Sequence, residues 1–316
     1  MATNKPVVTN TWRANAILIF VTALWGFGFV AQSVGMDHLG VYTYNALRFT
    51  IGSLTLLLFT PLIRRFSPAE VSGSTKTNLI AGAAAGTILF IASTLQTAGL
   101  SSTSAGKAGF ITGFYVILVP LMGLLWRQRT GPATWVGGLL ALAGLYLLSV
   151  TEAFSISTGD LLVFASAFFW AAHIQTIGHF SRKTDPLKLS IYQYLVVSFL
   201  SILFSLLWEH NTITEIQAAG GAILYGGVIV VGVSFTLQAI AQREAHPGHA
   251  AIIMNLESLF AVIAGWLLLG ESLTTRSLAG CALMLAGMIL SQFSPSLNIP
   301  ALSRFFAAAE KEQDLP

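Results

Sequence analysis

The sequence contains a repeat in which five apolar segments are followed by five more in the same order. Leu142-Ala143-Gly144 returns as Leu285-Ala286-Gly287, and Gly137 returns as Gly280, so both matches have the same offset of 143 residues. An odd number of membrane spans in each half turns the second half upside down relative to the first. Inverted repeats of this kind are common in secondary transporters. The repeat therefore predicts an all-α polytopic membrane protein with ten transmembrane helices in two inverted five-helix repeats.

The length of the apolar runs supports ten helical spans. With 54% hydrophobic and 9% charged residues, the chain lacks the polar surface of a soluble domain, in which about a quarter of the residues are charged. Runs of about 18 or more apolar residues can cross a hydrocarbon core about 30 Å thick as helices, whereas barrel strands form short alternating segments. The predicted spans are 14–34, 42–63, 78–99, 108–126, 134–149, 161–180, 189–208, 222–241, 250–269 and 277–293.

Charge and cysteine content exclude several classes of protein. The formal charge of +3 does not indicate nucleic-acid binding, because the basic residues lie in short connections and form no cluster interleaved with aromatics. The single cysteine, Cys281, excludes an internal disulfide and a cysteine-based metal site. No metal and no cofactor is predicted. The first apolar run follows Lys5 and Arg13 and has no clear cleavage site, which favours an uncleaved signal anchor.

Positive charge separates the connections into two classes. With ten spans and a cytoplasmic N-terminus, 13 of the 16 lysine and arginine residues lie in cytoplasmic segments, and only Arg276 lies in an outer connection. Arg48 and Lys107 lie near outer helix ends. The positive-inside rule therefore predicts that both termini are cytoplasmic, in a bacterial plasma (inner) membrane. The predicted domains are one repeat over 14–150, a second over 160–293 and a cytoplasmic tail over 294–316.

Four motifs, in fixed order, resemble those of one transporter family. They are Ala23-Leu24-Trp25-Gly26, Ala46-Leu47-Arg48-Phe49, Lys107-Ala108-Gly109-Phe110-Ile111-Thr112-Gly113 and Leu256-Glu257-Ser258-Leu259-Phe260. They are similar to motifs of the drug/metabolite transporter (DMT) superfamily, in its EamA family, and the resemblance covers residues 17–293. This resemblance implies a substrate path between the halves, enclosed by helices one to four and six to nine, with helices five and ten as peripheral supports.

Ionisable groups inside the membrane are the first functional candidates, because inserting a central charge costs about 2.5–3.5 kcal/mol. Glu257, in the ninth span, could carry a proton in exchange for substrate, or it could be a structural glutamate that fixes helix packing. Lys107, at the start of the fourth span, could attract an anionic group, or its side chain could snorkel to the interface. Arg48 is expected to form a structural ion pair or a carbonyl contact rather than to contact substrate.

Uncharged polar residues extend the candidate substrate site. Thr112 and Asn255 are repeat equivalents, again 143 residues apart, and would face each other across the pseudo-two-fold axis. His173 in the sixth span can both donate and accept hydrogen bonds, and Gln96 in the third span has the same capacity. The alternative for each of the last two is an interhelical hydrogen bond or a packing role.

Aromatic residues and one proline complete the pattern. Trp25, Phe114 and Trp170 are expected to line an apolar cavity or to stack on a cationic or ring-shaped substrate. Pro120 removes a backbone hydrogen bond and should kink the fourth span. Its repeat counterpart, Ile263, has no such effect, so the halves are expected to bend differently.

The sequence lacks the motifs of nucleotide-driven pumps, zinc proteases and serine hydrolases. The leading prediction is a secondary transporter that exports a small metabolite by alternating access. Its substrate would be an amino acid, an organic acid, a nucleoside or a drug-like cation, with the lipid bilayer and protons as further partners. The alternatives are an integral-membrane enzyme acting on lipid and a membrane scaffold. The oligomeric state stays open.

Overall fold

The computed structural model describes residues 11–66, 73–103, 105–125, 128, 130–149, 157–269 and 274–292. All regular secondary structure within these ranges is helical. The helices are α1 (Thr11–Met36), α2 (Val41–Phe66), α3 (Thr75–Leu100), α4 (Ala105–Thr112), α5 (Tyr115–Leu125), α6 (Pro132–Ser149), α7 (Thr158–Phe180), α8 (Pro186–Trp208), α9 (Ile213–Ala218), α10 (Gly220–Leu224), a π-helix (Tyr225–Phe235), α11 (Thr236–Ala241), α12 (Pro247–Met254), α13 (Glu257–Leu269) and α14 (Thr275–Gln292).

Seven segments of the described chain are long and apolar enough to cross a membrane, which confirms an all-helical, multi-span membrane protein. They are Trp12–Met36, Val41–Arg65, Thr75–Leu100, Thr158–Phe180, Pro186–Trp208, Gly220–Ala241 and Pro247–Ala264. Three shorter apolar helices, Tyr115–Leu125, Pro132–Leu147 and Thr275–Ser291, fall on the predicted fourth, fifth and tenth spans. The predicted tail at 294–316 lies outside the described residues.

Local capping signals determine where several of these helices begin. Ser157 accepts a hydrogen bond from the Asp160 backbone N–H at 3.1 Å, and the Asp160 carboxylate accepts one from the Ser157 N–H at 2.7 Å. This reciprocal box satisfies two backbone donors at the start of α7. At α8, Asp185 caps the Leu187 N–H, and Pro186 occupies the first helical turn, where its missing N–H costs nothing.

Helices from the first half of the chain pack mainly against helices from the second half. The helix α2 lies against α8 and the π-helix, α3 lies against α7 and α8, α1 lies against α13, and α6 lies against α14. The outer surface of the bundle is strongly apolar, and Leu58, Leu125 and Leu206 are 77%, 81% and 77% exposed. Such a surface suits lipid, because exposed leucine side chains there leave no polar solvent unsatisfied.

Carboxylates at the two ends of α8 hold α2 in place. At one end, Glu209 accepts hydrogen bonds from the backbone N–H groups of Tyr42 and Thr43, at 2.9 and 2.7 Å. At the other end, Asp185 forms an ion pair with Arg64 in the last turn of α2. The first contact satisfies two of the unpaired donors at the start of α2. Together the contacts fix the position of α2 along α8.

Glycines allow α6 and α14 to touch through their backbones. A Cβ atom on Gly137 would lie 2.6 Å from the Gly287 carbonyl oxygen, and one on Gly144 would lie 2.5 Å from the Gly280 carbonyl oxygen. Because the earlier residue of α6 meets the later residue of α14, the two helices are antiparallel. The sequence-based expectation that small residues here permit close helix approach is confirmed.

The fourth and the ninth predicted spans are both interrupted, at nearly equivalent repeat positions. A turn at Gly113 and Phe114 separates α4 from α5, and a turn at Asn255 and Leu256 separates α12 from α13. In each turn, hydrogen bonds reach back three residues, as from the Leu256 N–H to the Ile253 carbonyl at 3.0 Å. The expectation that the halves bend differently is therefore wrong: the interruptions come from tightened turns, and Pro120 lies inside α5 without ending it.

The contact between α6 and α14 can be tested with Gly287→Ala. The added Cβ would lie 2.4 Å from the Gly137 carbonyl oxygen and 2.9 Å from the Ala141 nitrogen, so the helices must separate. We expect the free energy of unfolding to fall by about 1–3 kcal/mol, measured by thermal unfolding in detergent. Gly221→Ala is the control, because its Cβ meets nothing within 4 Å. Equal unfolding midpoints for the two variants would contradict the close contact.

Candidate functional site

A cavity lies between the two halves of the bundle. Residues of α1, α2, α3, α4, α5, α7, the π-helix, α11 and α13 line it, so both halves contribute. It contains about 690 Å³ of empty space, part of it open to solvent. Small-molecule sites occupy about 300–1,000 Å³. The cavity is therefore large enough for a small organic molecule, and its lining decides which kind.

One part of the cavity wall is aromatic. The Phe235 ring centroid lies 5.0 Å from that of Trp25 and 6.1 Å from that of Trp170, and the planes of Phe235 and Trp170 differ by only 6°. The indole Nε1–H of Trp170 donates to Gln96 Oε1, which fixes that ring. The Nε1–H of Trp25 is buried and has no acceptor within the described chain. This wall offers apolar ring faces and one unused donor.

The π-helix brings Phe235 to this wall. A π-helix has a wider turn than an α-helix, and short π segments often occur at functional sites. Here the π-helix runs from Tyr225 to Phe235 and contributes Gly226, Val230 and Phe235 to the lining. The Tyr225 hydroxyl anchors its start by donating to the Leu24 carbonyl at 3.0 Å.

Arg48 is the cationic group of the cavity. Its side chain lines the cavity and the residue is 6% exposed. Its Nε–H donates to Asn45 Oδ1 at 2.9 Å, and its guanidinium carbon lies 5.3 and 4.9 Å from the ring centroids of Tyr44 and Phe49. No Asp or Glu among the described residues forms an ion pair with it. The structural ion pair expected from the sequence is therefore not found in this part of the chain.

Glu257 is the acidic group of the cavity. It is the first residue of α13 and is 8% exposed. The Tyr115 hydroxyl donates to its Oε1 at 3.2 Å, which joins α5 to α13. No lysine or arginine within the described ranges pairs with it. One buried carboxyl group therefore borders the cavity with a single tyrosine as its hydrogen-bonding partner.

Unpaired polar atoms cluster where the two interrupted spans cross. Thr112 Oγ1, both side-chain polar atoms of Asn255, and Ser258 Oγ are buried without hydrogen-bond partners in the described structure. A Cβ on Gly113 would lie 2.6 Å from Asn255 Oδ1, and one on Gly109 would lie 3.6 Å from Ser258 Oγ. These contacts place the cluster beside Glu257. Unpaired buried polar groups are costly, and they often occur at functional sites.

A neutral histidine begins the interrupted ninth span. The His246 ring accepts a hydrogen bond from the Gly248 N–H at 3.2 Å and so caps α12. Burial, followed by the nearby charges of His249 and Arg182, lowers the pKa of His246 to about 4. The unprotonated ring nitrogen needed for this cap is therefore present at neutral pH.

The structure brings together five of the nine residues singled out from the sequence. Trp25, Gln96, Thr112, Trp170 and Glu257 all line the cavity. They come from five different helices, so no short sequence segment contains the site.

The other four predicted site residues lie elsewhere or beyond description. Asn255 is buried beside the cavity in the turn between α12 and α13. Phe114 packs edge-on against Phe164 at 6.1 Å. His173 is fully buried, and its Nε2 forms a hydrogen bond with Gln193 Oε1 at 2.9 Å. Lys107 lies in α4, and its side chain is outside the described part of the structure.

The sequence analysis did not single out two cavity residues, Tyr44 and Phe235. Both are single aromatics in apolar runs, a pattern that core residues and cavity residues share. Arg48 was noticed but assigned to an ion pair. Its freedom from acidic partners depends on which side chains surround it, and no local motif encodes that.

Comparison with known proteins gives a consistent result. A family model described as the EamA-like transporter family matches residues 13–150 and 157–293. An uncharacterized transporter of Archaeoglobus fulgidus is 30% identical over 278 residues, covering 86% of this chain and 83% of the relative. A protein of Salmonella typhimurium named "probable amino-acid metabolite efflux pump" is 23% identical, covering 88% of this chain and 94% of the relative.

A solved structure shares the fold. It superposes with a TM-score of 0.75 at 19% sequence identity, covering 91% of this chain and 99% of the other. At this identity the likeness shows the fold alone. The long helices and the interrupted spans described above therefore belong to a fold that has been observed in a crystal structure.

The contact that orients Trp170 can be tested with Gln96→Leu. Leucine removes the acceptor of a buried indole N–H, and leaving such a donor unpaired costs about 1–3 kcal/mol. We expect a lower thermal-unfolding midpoint in detergent and an altered tryptophan emission spectrum. Gln96→Glu keeps an acceptor oxygen and should retain the wild-type emission more closely. Gln217→Leu, on the exposed face of α9, is the control. If Gln96→Leu and Gln217→Leu behave alike, the hydrogen bond does not orient Trp170.

Proposed function

Because the chain belongs to the EamA-like transporter family, we propose that it is a secondary transporter that exports a small metabolite by alternating access. The observation that carries the proposal is the cavity between the two halves, with its aromatic wall, one buried guanidinium and one buried carboxyl group. Such a lining suits a ligand that must be bound and released many times. An enzyme acting on lipid is less well supported, since several relatives carry transporter names.

We place the cavity at the interface of two inverted repeats of five spans each, ten in total. Two observations support this arrangement. The pair Gly137 and Gly287 exchanges with the pair Gly280 and Gly144 when each residue is replaced by its equivalent 143 positions away. The two interrupted spans also occupy equivalent places in the two halves. A two-fold axis in the membrane plane produces both features, and alternating access then consists of rocking one repeat against the other.

The substrate contacts come from the residues of the cavity wall and its surroundings. Trp25, Trp170 and Gln96 would hold the body of the substrate, and Thr112 and Asn255 would supply hydrogen bonds at the crossing of the interrupted spans. The candidate substrates are an amino acid, another organic acid, a nucleoside and a drug-like cation. The name of the Salmonella relative makes an amino acid the first to test. Lys107, Phe114 and His173 remain candidates for substrate contact from outside the described lining.

Glu257 would couple transport to protons. A carboxyl group that borders the cavity can exchange its proton with one side of the membrane at a time. Protonation removes its charge and changes the affinity for substrate, and this difference in affinity between states is what drives exchange. The hydrogen bond from Tyr115 would then switch between an ionised and a protonated acceptor. Inward movement of protons would thereby drive outward movement of substrate, without a nucleotide or a cofactor.

The coupling role can be tested in proteoliposomes with Glu257→Gln. We expect wild-type protein to accumulate a radiolabelled amino acid against its gradient when a pH gradient is imposed. The glutamine variant cannot carry the proton, so it should lose this accumulation and keep substrate exchange at equal pH. Glu215→Gln, at the start of the short helix α9, is the control. Gradient-driven accumulation by Glu257→Gln at the wild-type level would rule out the coupling role.

The number of spans and their orientation can be tested by cysteine labelling. Cys281→Ser leaves a chain without cysteine, into which Lys76→Cys or Thr214→Cys is introduced singly at an exposed position. Ten spans with cytoplasmic termini place Lys76 inside and Thr214 outside. We expect a membrane-impermeant maleimide to label the Thr214 variant in intact cells and the Lys76 variant only after permeabilisation. Labelling of both sites from the same side would contradict this topology.

A further inference from the structure

Arg48 is a buried cation whose charge nothing in the described chain neutralises. The residue is 6% exposed, and no described Asp or Glu pairs with it. Arginine stays protonated in proteins, and an unpaired buried charge is expensive. The ring faces of Tyr44 and Phe49 lower this cost by cation–π attraction, but rings carry no net negative charge. The cavity therefore holds one uncompensated positive charge.

The geometry leaves the outer end of the guanidinium free for a ligand. The Nε–H is used by Asn45, one helical turn earlier on α2, and the terminal amino groups make no hydrogen bond within the described residues. The opposite side of the arginine stem is held by the π-helix, where a Cβ on Gly226 would lie 3.6 Å from Arg48 Cδ. The stem is thus fixed by its surroundings while the two terminal amino groups, which bind carboxylates in a bidentate manner, remain available.

From these observations we propose that Arg48 is the anion subsite of the cavity and that the transported metabolite is a small carboxylate. This proposal rests on the proposed transport function and narrows its substrate class. A carboxylate carries one negative charge, which matches the single uncompensated positive charge, whereas a phosphate dianion would exceed it. The unused Nε2–H of Gln96, which also lines the cavity, is a further donor for such a ligand. The aromatic wall would take the apolar body.

The ligand preference can be measured on the wild-type protein with compounds that share one body. The probes are 3-phenylpropionate, 3-phenylpropanamide, 3-phenylpropylamine and phenyl phosphate, titrated against the detergent-purified full chain by isothermal calorimetry. We expect the carboxylate to bind about tenfold or more tightly than the amide or the amine, since hydrogen bonds to a charged group contribute about 1.5–3 kcal/mol. Equal or tighter binding of the amide or the amine would overturn the proposal. Tighter binding of phenyl phosphate would overturn the assignment to a carboxylate.

Variants then connect the preference to Arg48. Arg48→Gln should bind the carboxylate and the amide about equally, and Arg48→Lys should recover part of the difference as a point charge. The matched control is Arg276→Gln, because Arg276 also lies over a ring, that of Tyr146 at 5.6 Å, but is exposed and far from the cavity lining. A wild-type preference in Arg48→Gln would overturn the role of Arg48. If Arg48→Gln fails to fold, the wild-type titrations still decide.

Transport separates this proposal from the one on which it depends. In proteoliposomes, the transported compounds should all bear a carboxylate, and transport of 3-phenylpropionate should fall about tenfold or more in Arg48→Gln but not in Arg276→Gln. Transport of cationic or neutral compounds without a carboxylate preference would overturn the anion subsite and leave the transporter function standing. An absence of transport for every compound would instead count against the transporter function.

Discussion

The absence of water inside a bilayer constrains this structure more than any other condition. Every backbone N–H and C=O group that faces lipid must be bonded within its own helix. The long helices α1, α2, α3, α7 and α8 meet this requirement without interruption. Interruptions are tolerated only where the backbone is enclosed by protein, and both interruptions described here lie at the inner crossing of the fourth and ninth spans. The same crossing holds the unpaired polar atoms of Thr112 and Asn255. The polar interior of the molecule is therefore located where the backbone could be broken without contact with lipid.

The position of α2 links this framework to the chemistry of the cavity. Glu209 and Asp185, at opposite ends of α8, hold the first and the last turn of α2. Between these two points α2 carries Arg48 into the cavity, and the hydroxyls of Thr50 and Ser198 meet midway along the contact. A fixed α2 keeps the guanidinium within reach of a ligand and prevents it from moving to solvent, where its charge would be better stabilised. Polar contacts outside the cavity thus maintain a costly group inside it.

The sequence predicted the framework well and the site only in part. Long apolar runs are a direct consequence of bilayer thickness, so the helical, multi-span character could be predicted with no knowledge of packing. The close approach of α6 and α14 could also be predicted, because Gly137 and Gly287 have one structural use in such runs. The interruption of the ninth span could not, since Asn255 and Leu256 form no turn motif and the turn depends on tertiary contacts. For the same reason Phe235, inside an apolar run, was indistinguishable from a core residue.

The departures from two-fold symmetry carry the chemistry, whereas the repeat itself carries the shape. Glu257 has Phe114 as its repeat equivalent, 143 residues away, so the cavity contains one carboxyl group where strict symmetry would require two. Similarly, α2 contributes Arg48 and Tyr44 to the lining, while no residue of α8 lines the cavity. A strictly symmetric pair of charges would repel each other across the axis and bind nothing with a preferred orientation. With one cation from the first half and one carboxyl group from the second, a ligand has a single favourable orientation, and each half holds a different part of it. Rocking the halves apart would then separate the two groups and release what they hold.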